Sequence, residues 1–564
     1  MKKQSVKYIL ALAISFPLFA NFASAQTPVA AITPKVDTTM ETEQIDIIKP
    51  YQPILADAVK MNFSPEMPKV KMEVPKLTYN VPTRLLAVVP QSPELKAVML
   101  PKDKQQLILP TLYAKLGFGN YTTPYVDLRY NNVNNASFRY GVNLFHHSSN
   151  SAPNPVQRFA QSKAQLQYQY LMPANVLEGD ITYTNDVFRP YALNTESNKL
   201  SLNDKFMTHI LAPTIIFRKL NQDENKELDY KLSVKPYMLS RLDSTFHSIN
   251  ETGIWAEAKV QKPFEDGSIA GIKISEDYNS FSSTHSTWDP SLTSYKNSLI
   301  SASPFYNIEK KEWFARIAAN VQFSQNASYI HPDIELGKDL IAQNLQVYLG
   351  YKGNVLKNTY RSMLAFSPVL DSTLIKNTIR QDIFLGLRGS FNKEFTYNAR
   401  FAYVQAKHQG FLTMADSNNL RNYRMEFIDS KASQFNVHAE VNYNKSEIIR
   451  AGLWADYTNY YLPNKFYANF APAFVGGLQA NYKYEQNWEF GMQVFGWSNR
   501  QYMRGSSLET LKGSADVNLN AYYHYNANVS AYIQLNNIAN QKYSYTLGYP
   551  VYGINGVIGV VLRY

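Results

Sequence analysis

Between Thr111 and Tyr564 the chain repeatedly alternates apolar and polar residues, a period that limits the possible folds more than any other feature. In Ala515 to Tyr525 one parity reads Ala515, Val517, Leu519, Ala521, Tyr523, Tyr525; the other reads Asp516, Asn518, Asn520, Tyr522, His524. Phe435 to Tyr443, Leu345 to Tyr351 and Ala164 to Tyr170 behave the same way. Side chains on a strand point alternately to its two faces, so each segment is a strand with one apolar and one polar face. The segments exceed the five or six residues of an ordinary strand and reach the roughly 9 to 11 that a tilted strand needs to cross a bilayer. Their polar faces are rich in Asn, Gln and Tyr, as a wet lumen requires. Their apolar faces end in Tyr, Phe or Trp, which suits interfacial girdles. Backbone groups facing lipid must all be paired, so a spanning sheet has to close. The expected fold is all-β, a transmembrane antiparallel β-barrel. A soluble sandwich or propeller is the alternative, opposed by strand length and by the lack of a blade-like repeat.

Ten tight connections punctuate the alternation, near Asn132–Asn135, Pro173–Asn175, Gln222–Asn225, Glu265–Gly267 and Lys310–Glu312, then Gly353–Lys357, Asn392–Glu394, Lys445–Glu447, Glu485–Asn487 and Asn526–Asn528. Longer polar stretches separate them, among them Ser148–Gln161, Ser283–Ser294, Asn326–Gln343 and Gly410–Lys431. Short turns on one side and long loops on the other are the outer-membrane pattern, with the short turns periplasmic. Ten such turns imply about 22 strands, with both barrel ends in the periplasm.

Ahead of the barrel the composition differs. Lys2, Lys3 and Lys7, the apolar stretch Tyr8 to Phe22 and Ala23-Ser24-Ala25 form the pattern of a secretory signal peptide over residues 1–25. Residues 26–110 carry 12 prolines against 15 in residues 111–564. Each proline removes a backbone donor and fixes φ, so this region cannot build a central sheet or a long helix. It reads as an extension in the periplasm or entering the lumen, with one short helix near Leu55 to Met61. It serves either as a passive linker or as a partner-binding arm. Charged residues make up only 18% of the chain, against about 25% in an average domain, and there is no cysteine. Disulfide scaffolds and cysteine-ligated metals are therefore excluded. Removing the leader lysines from the formal +11 leaves about +8, with no Lys/Arg block of the kind a nucleic-acid reader carries.

The barrel's end brings a family into view. Ile558, Val560, Leu562 and the terminal Tyr564 share one face, as in the closing strand of outer-membrane barrels. Leu535-Asn536-Asn537-Ile538-Ala539-Asn540-Gln541-Lys542-Tyr543 and Gly548-Tyr549-Pro550-Val551-Tyr552-Gly553 resemble the penultimate-strand and Tyr-Pro-x-x-Gly motifs of TonB-dependent receptors. That family usually has Arg where Ile554 stands and ends in Phe rather than Tyr. Its plug domain has no counterpart in the 85 residues ahead of the barrel, and Ile45 to Ala58 look like the opening of short, plug-lacking relatives. The resemblance implies an outer-membrane location, lipid contact and transport of a bulky nutrient. Residues 26–110, through Ile45 and Ile47, would be the contact for a TonB-type or other periplasmic partner. The missing plug leaves a second role open: a non-transporting scaffold partnered by lipoproteins or other barrels.

Enzyme chemistry finds little support. No His-Glu-x-x-His or Gly-x-Ser-x-Gly motif occurs. His146-His147 opens an expected outside loop, and adjacent strand residues would face opposite ways. His438 and Glu440 share a parity and suit lumen lining better than metal ligation. Asn221, Asp223 and Asn225 mimic a calcium loop, but Lys226 and Leu232 stand where Gly and Glu are required. No catalytic, cofactor or metal residue is assigned, although a hydrolase assembled from distant strands stays open. Asp516, Glu440, Arg400 and Lys352 are expected to face the lumen, with no selectivity argument from their mixed signs.

Overall fold

A computed structural model describes residues 111–564 except 133–134, 136, 151–156, 192–204, 221–226, 245–246, 285–292, 325–326, 343, 417–418, 447 and 464–466. The leader, the proline-rich extension with its Ile45 and Ile47, and the Asn221–Asn225 segment lie outside the described residues. Twenty-two strands form one antiparallel sheet in which each strand pairs with its neighbours in the chain. The first, Leu112–Gly119, pairs with Thr123–Asn132 on one edge and with the last, Asn555–Arg563, on the other. Leu112 and Tyr564 exchange backbone hydrogen bonds of 2.8 Å at this seam. Closure removes both sheet edges, which is what lipid demands of a spanning sheet.

The two faces divide as the alternation requires. Leu336, Leu349, Leu385 and Phe401 sit directly opposite one another on four neighbouring strands, and all are exposed on the outside. Ile330 (73% exposed) and Ile558 (66%) are the most exposed aliphatic residues among those described, which only an apolar surrounding makes favourable over so wide an area. Aromatic rings gather where the outer face ends. Trp313, Trp488, Tyr523 and Phe395 mark the short-turn end, and Phe323, Tyr457, Tyr461 and Phe474 the other. On the inner face Phe314 lies over Gly337 and Tyr348 over Gly386, too close for any side chain in place of the glycine. The rings thus lie flat on the wall.

Local chemistry sets the short turns. Asn135, Asn392 and Asn526 each accept, through Oδ1, the backbone N–H groups two and three residues on. This is the Asx device that makes asparagine a turn former. Gly267 holds φ +81° in the turn closed by Phe264 and Ser268. The Asp266 carboxylate there accepts from the Ser268 backbone and hydroxyl, and its pKa is lowered by those bonds.

One pair of connections departs from the sequence reading. Residues 327–341, read as a loop, form the strand Ala327–Ile341, and Gly353 to Leu356, read as a turn, complete the strand Leu345–Leu356. The short connection lies at residues 342–344 instead. Pro332, Asp333, Gly337 and Asp339 disguise the first strand, but Ile330, Pro332, Ile334 and Leu336 share the parity that faces away from the lumen. Gly353 is small because the His331 side chain lies over it, not because the chain turns there. The two errors offset, so 22 strands stand. His146-His147 likewise lies within the strand Phe138–Ser149 rather than in a loop.

Candidate functional site: a cap of interlocked loops

At the long-loop end the connections fold over one another. One continuous apolar cluster joins Leu239 and Phe281 of the wall to Tyr360, Leu370, Tyr423, Phe470, Tyr502 and Tyr549 of five different connections. Its members come from most of the barrel's circumference, so the cluster lies across the mouth. Nothing in strand periodicity specifies it. Its residues sit in stretches without a repeat and meet across separations from about thirty to more than a hundred positions.

Two buried wall charges hold the segment 357–377. Glu251 is 0% exposed, and its two oxygens accept the N–H groups of Tyr360 (3.0 Å) and Arg361 (2.8 Å), with Asn279 donating at 2.7 Å. The two N–H groups open the short helix Tyr360–Met363, whose Thr359 and Ser362 form a reciprocal capping box. Arg241, 3% exposed, donates to the Leu370 and Pro368 carbonyls at 2.7 and 2.6 Å and to the Tyr360 hydroxyl at 2.7 Å. Glu251 thus grips the beginning of the segment and Arg241 its middle. Hydrogen bonds to ionised groups are the strong ones, and a buried charge left without them is costly. Burial pushes the Tyr360 hydroxyl up to about 12, so it stays a donor at any ordinary pH. Lys357 reaches the Asn297 and Asp277 carbonyls at 2.6 and 3.0 Å. Burial draws its ammonium down to about 8, with Asp277 and Glu251 opposing.

The other loops lock onto this one. Gln409–Asp416 and Asn419–Ile428 form a hairpin whose Tyr423 exchanges backbone hydrogen bonds with Val369 and Asp371 and donates its hydroxyl to Leu547 O at 3.0 Å. Phe470 stacks on Tyr502, centroids 5.1 Å apart, and its N–H donates to Gln501 O. Arg500, in the hairpin Arg500–Arg504 with Ser507–Leu511, donates to the carbonyls of Tyr545 and Ser544. Tyr191 and Gln157 both donate to Pro550 O, at 2.9 and 2.7 Å. The motif residues at the chain end are therefore part of the cap. Asn537 donates to Gln541 O and Tyr552 O, and the Tyr543 hydroxyl donates to the Asp516 carboxylate. A cleft of about 60 Å³ opens between Phe188, Tyr191, Val369, Tyr549 and Tyr552.

The expected lumen residues face inward. Lys352 lies 4.0 Å from Asp333, Arg400 3.8 Å from Asp382, and Asp516 is buried beneath Tyr543. Glu440 accepts from Asn442 and lies 3.7 Å from His438. The nearer partner of His438 is Asp456 at 2.7 Å, on the next strand, which one segment's alternation does not reveal. Among the described residues no group of three or more His, Asp or Glu is placed to hold a metal ion. The barrel has a polar inner wall, and its loops form a cap held by buried hydrogen bonds and rings. Arg241 and Glu251 were missed because their strands mark them only as inward-facing polar residues, with no sign of what covers them.

No known family's sequence profile matches this chain, and no curated protein does. Solved structures match in fold. The FrpB iron transporter of Neisseria meningitidis superposes with TM-score 0.64 at 9% identity, covering 80% of this chain and 82% of that one. The ferric-catecholate import receptor Fiu of E. coli K12 gives 0.60 at 10%, over 81% and 82%. The pyoverdine outer membrane receptor FpvA of Pseudomonas aeruginosa, bound to pyoverdine, gives 0.61 at 11%, over 81% and 79%. Identities this low establish the fold alone, a 22-stranded β-barrel like that of these outer-membrane proteins.

Proposed function

We propose that this chain is an outer-membrane receptor that admits a bulky solute through its lumen, with the cap of loops as the outward closure. The supporting observation is the pairing of a polar-lined, 22-stranded conduit with an apolar-cored cap across one mouth. A barrel of this size is wide enough to leak unless something fills or covers it. The short turns then lie in the periplasm, and residues 26–110 extend there or into the lumen, available to a TonB-type partner. The iron transporter FrpB, the import receptor Fiu and the pyoverdine receptor FpvA, on the same fold, support transport over the scaffold reading.

The test is conductance in a planar bilayer, comparing the intact chain with one whose cap hairpin, residues 409–428, is replaced by a short Gly/Ser link. The intact chain should be nearly silent, and the shortened one should show openings several-fold larger or more frequent. Growth of a gene-deleted strain on single nutrient sources supplies the second arm. A loss confined to one nutrient supports transport. Unaltered conductance together with a general envelope defect would overturn the reading in favour of a scaffold.

A further inference from the structure

Four cationic residues stand side by side on the inner wall near the short-turn end. They occupy consecutive strands: Arg218 in Phe206–Lys219, Lys231 in Asp229–Leu242, Lys259 in Ser248–Pro263 and Lys273 in Ile269–Ser283. Arg218 is directly opposite Lys231, Lys231 opposite Lys259, and Lys259 opposite Lys273. The alternate positions Ile215, Leu232, Ile272 and Ile274 are exposed on the outer face, so the row points into the lumen. Lys259 and Lys273 lie four residues inside the strand ends at Pro263 and Ile269.

Like charges directly opposite one another on neighbouring strands destabilise a sheet. Several other cations on the inner wall are matched by carboxylates. Arg129 pairs with Asp127, Arg316 with Glu335, Arg380 with Asp382, and Lys352 with Asp333. In this row only Arg218 is paired, to Glu178. Among the described residues Lys231, Lys259 and Lys273 have no carboxylate within ion-pair distance, and Lys259 lies instead over the Phe305 ring. The nearby acids are turned to other uses or stand apart. Asp229 accepts from Gln261, and Glu257 sits one inward position further along its strand, between Ser233 and Ser275. Three ammonium groups held in register without an ion pair cost stability, and only Lys259 gains a ring contact in return, which is the mark of a surface kept for a ligand.

We infer that the row Lys231–Lys259–Lys273, extended by Arg218, is a binding site for an elongated polyanion passing through the lumen. Adjacent strands lie about 4.8 Å apart, so the row presents positive charge over roughly 14 Å at that repeat. The ligand is a short chain carrying one anionic group per comparable step, an acidic oligosaccharide or a short polyphosphate. The inference names a substrate class for the transport reading and rests on it only for the word passing; binding stands or falls alone.

The experiment is calorimetric titration of the full chain in a detergent with an uncharged head group. Trigalacturonate and tripolyphosphate are the two anionic probes, and maltotriose is the neutral control. At least one anion should bind, at least tenfold more weakly in 0.5 M salt than at low salt, and maltotriose should not. Whichever anion binds identifies the source of the charge. The triple substitution Lys231→Gln, Lys259→Gln and Lys273→Gln should weaken binding at least tenfold. The corresponding triple arginine variant should retain it, with heat-modifiable gel mobility confirming that both variants are folded. Absence of binding by either anion, or equal binding by the glutamine variant, would overturn the inference. Binding with no uptake into intact cells would sink the transport reading and leave the site standing.

Discussion

Glu251 and Arg241 show how single residues decide the state of the cap. Each meets backbone groups of residues 357–377: the two N–H groups that Glu251 accepts have no other described partner, and Leu370 O takes a second bond only from the Tyr360 hydroxyl. In Glu251→Gln, one oxygen can still accept from one N–H group, but the new amide donor faces the other. Leaving a buried donor unmet costs about 1–3 kcal/mol. Hydrogen exchange at Tyr360 and Arg361 should therefore accelerate by roughly 5- to 150-fold while the barrel strands keep their protection. Unchanged exchange at those two amides would mean that the carboxylate does not hold the segment. Lys357 adds a dependence on pH. Its value is about 8 in the closed cap, against about 10.4 for a lysine in water. Between these values the opened segment binds more protons than the closed one, so closure strengthens as pH rises through 8 towards 10 and is weakest below 8. Cleavage within 357–377 by a protease that ignores lysine should slow over that window. The slowing should vanish in Lys357→Met, which also controls for the protease's own pH response.

At the scale of the strand, much was legible before any coordinates, because lipid and water impose opposite demands on alternate positions. Leu349 and Leu385 advertise the outer face and Gln346 and Asp382 the inner. The same rule predicts a large effect at one position. Leu385→Arg places a charge on the outer face in the middle of Thr378–Ser390, where the cost is about 2–4 kcal/mol at the bilayer midplane. The denaturant midpoint of the refolded barrel should fall accordingly, while lysine in place of the inward Gln165, which already donates to Asp180 and faces Asn143 and Thr182, should change it far less. Equal losses at the two positions would contradict the assignment of faces. Legibility failed at Ala327–Ile341, where proline, glycine and aspartate imitate a loop, and at Gly353, where a neighbour's ring imposes the small residue. Residue type alone cannot distinguish a glycine that turns the chain from a glycine that makes room.

For the molecule as a whole, the barrel was readable and its closure was not. The wall is a local code repeated from strand to strand. The cap is a set of long-range meetings, such as Tyr423 with Leu547 or Gln157 with Pro550, whose participants carry no shared period. Arg218, Lys231, Lys259 and Lys273 occupy the middle ground. Each is visible as an inward-facing residue, but their alignment needs the register of three strand pairs, and a slip of one residue would turn a strand's contribution outward.

The seam between Leu112–Gly119 and Asn555–Arg563 imposes an order in time as well as in space. The first barrel strand has one edge with no mate until more than four hundred further residues have been made and delivered. Contacts so distant in sequence make for slow, late-committing assembly. Until that mate arrives, any sheet already formed carries an open edge, competent to pair with a stray strand. Tyr564, bonded to Leu112, is the fastening that finally removes that edge.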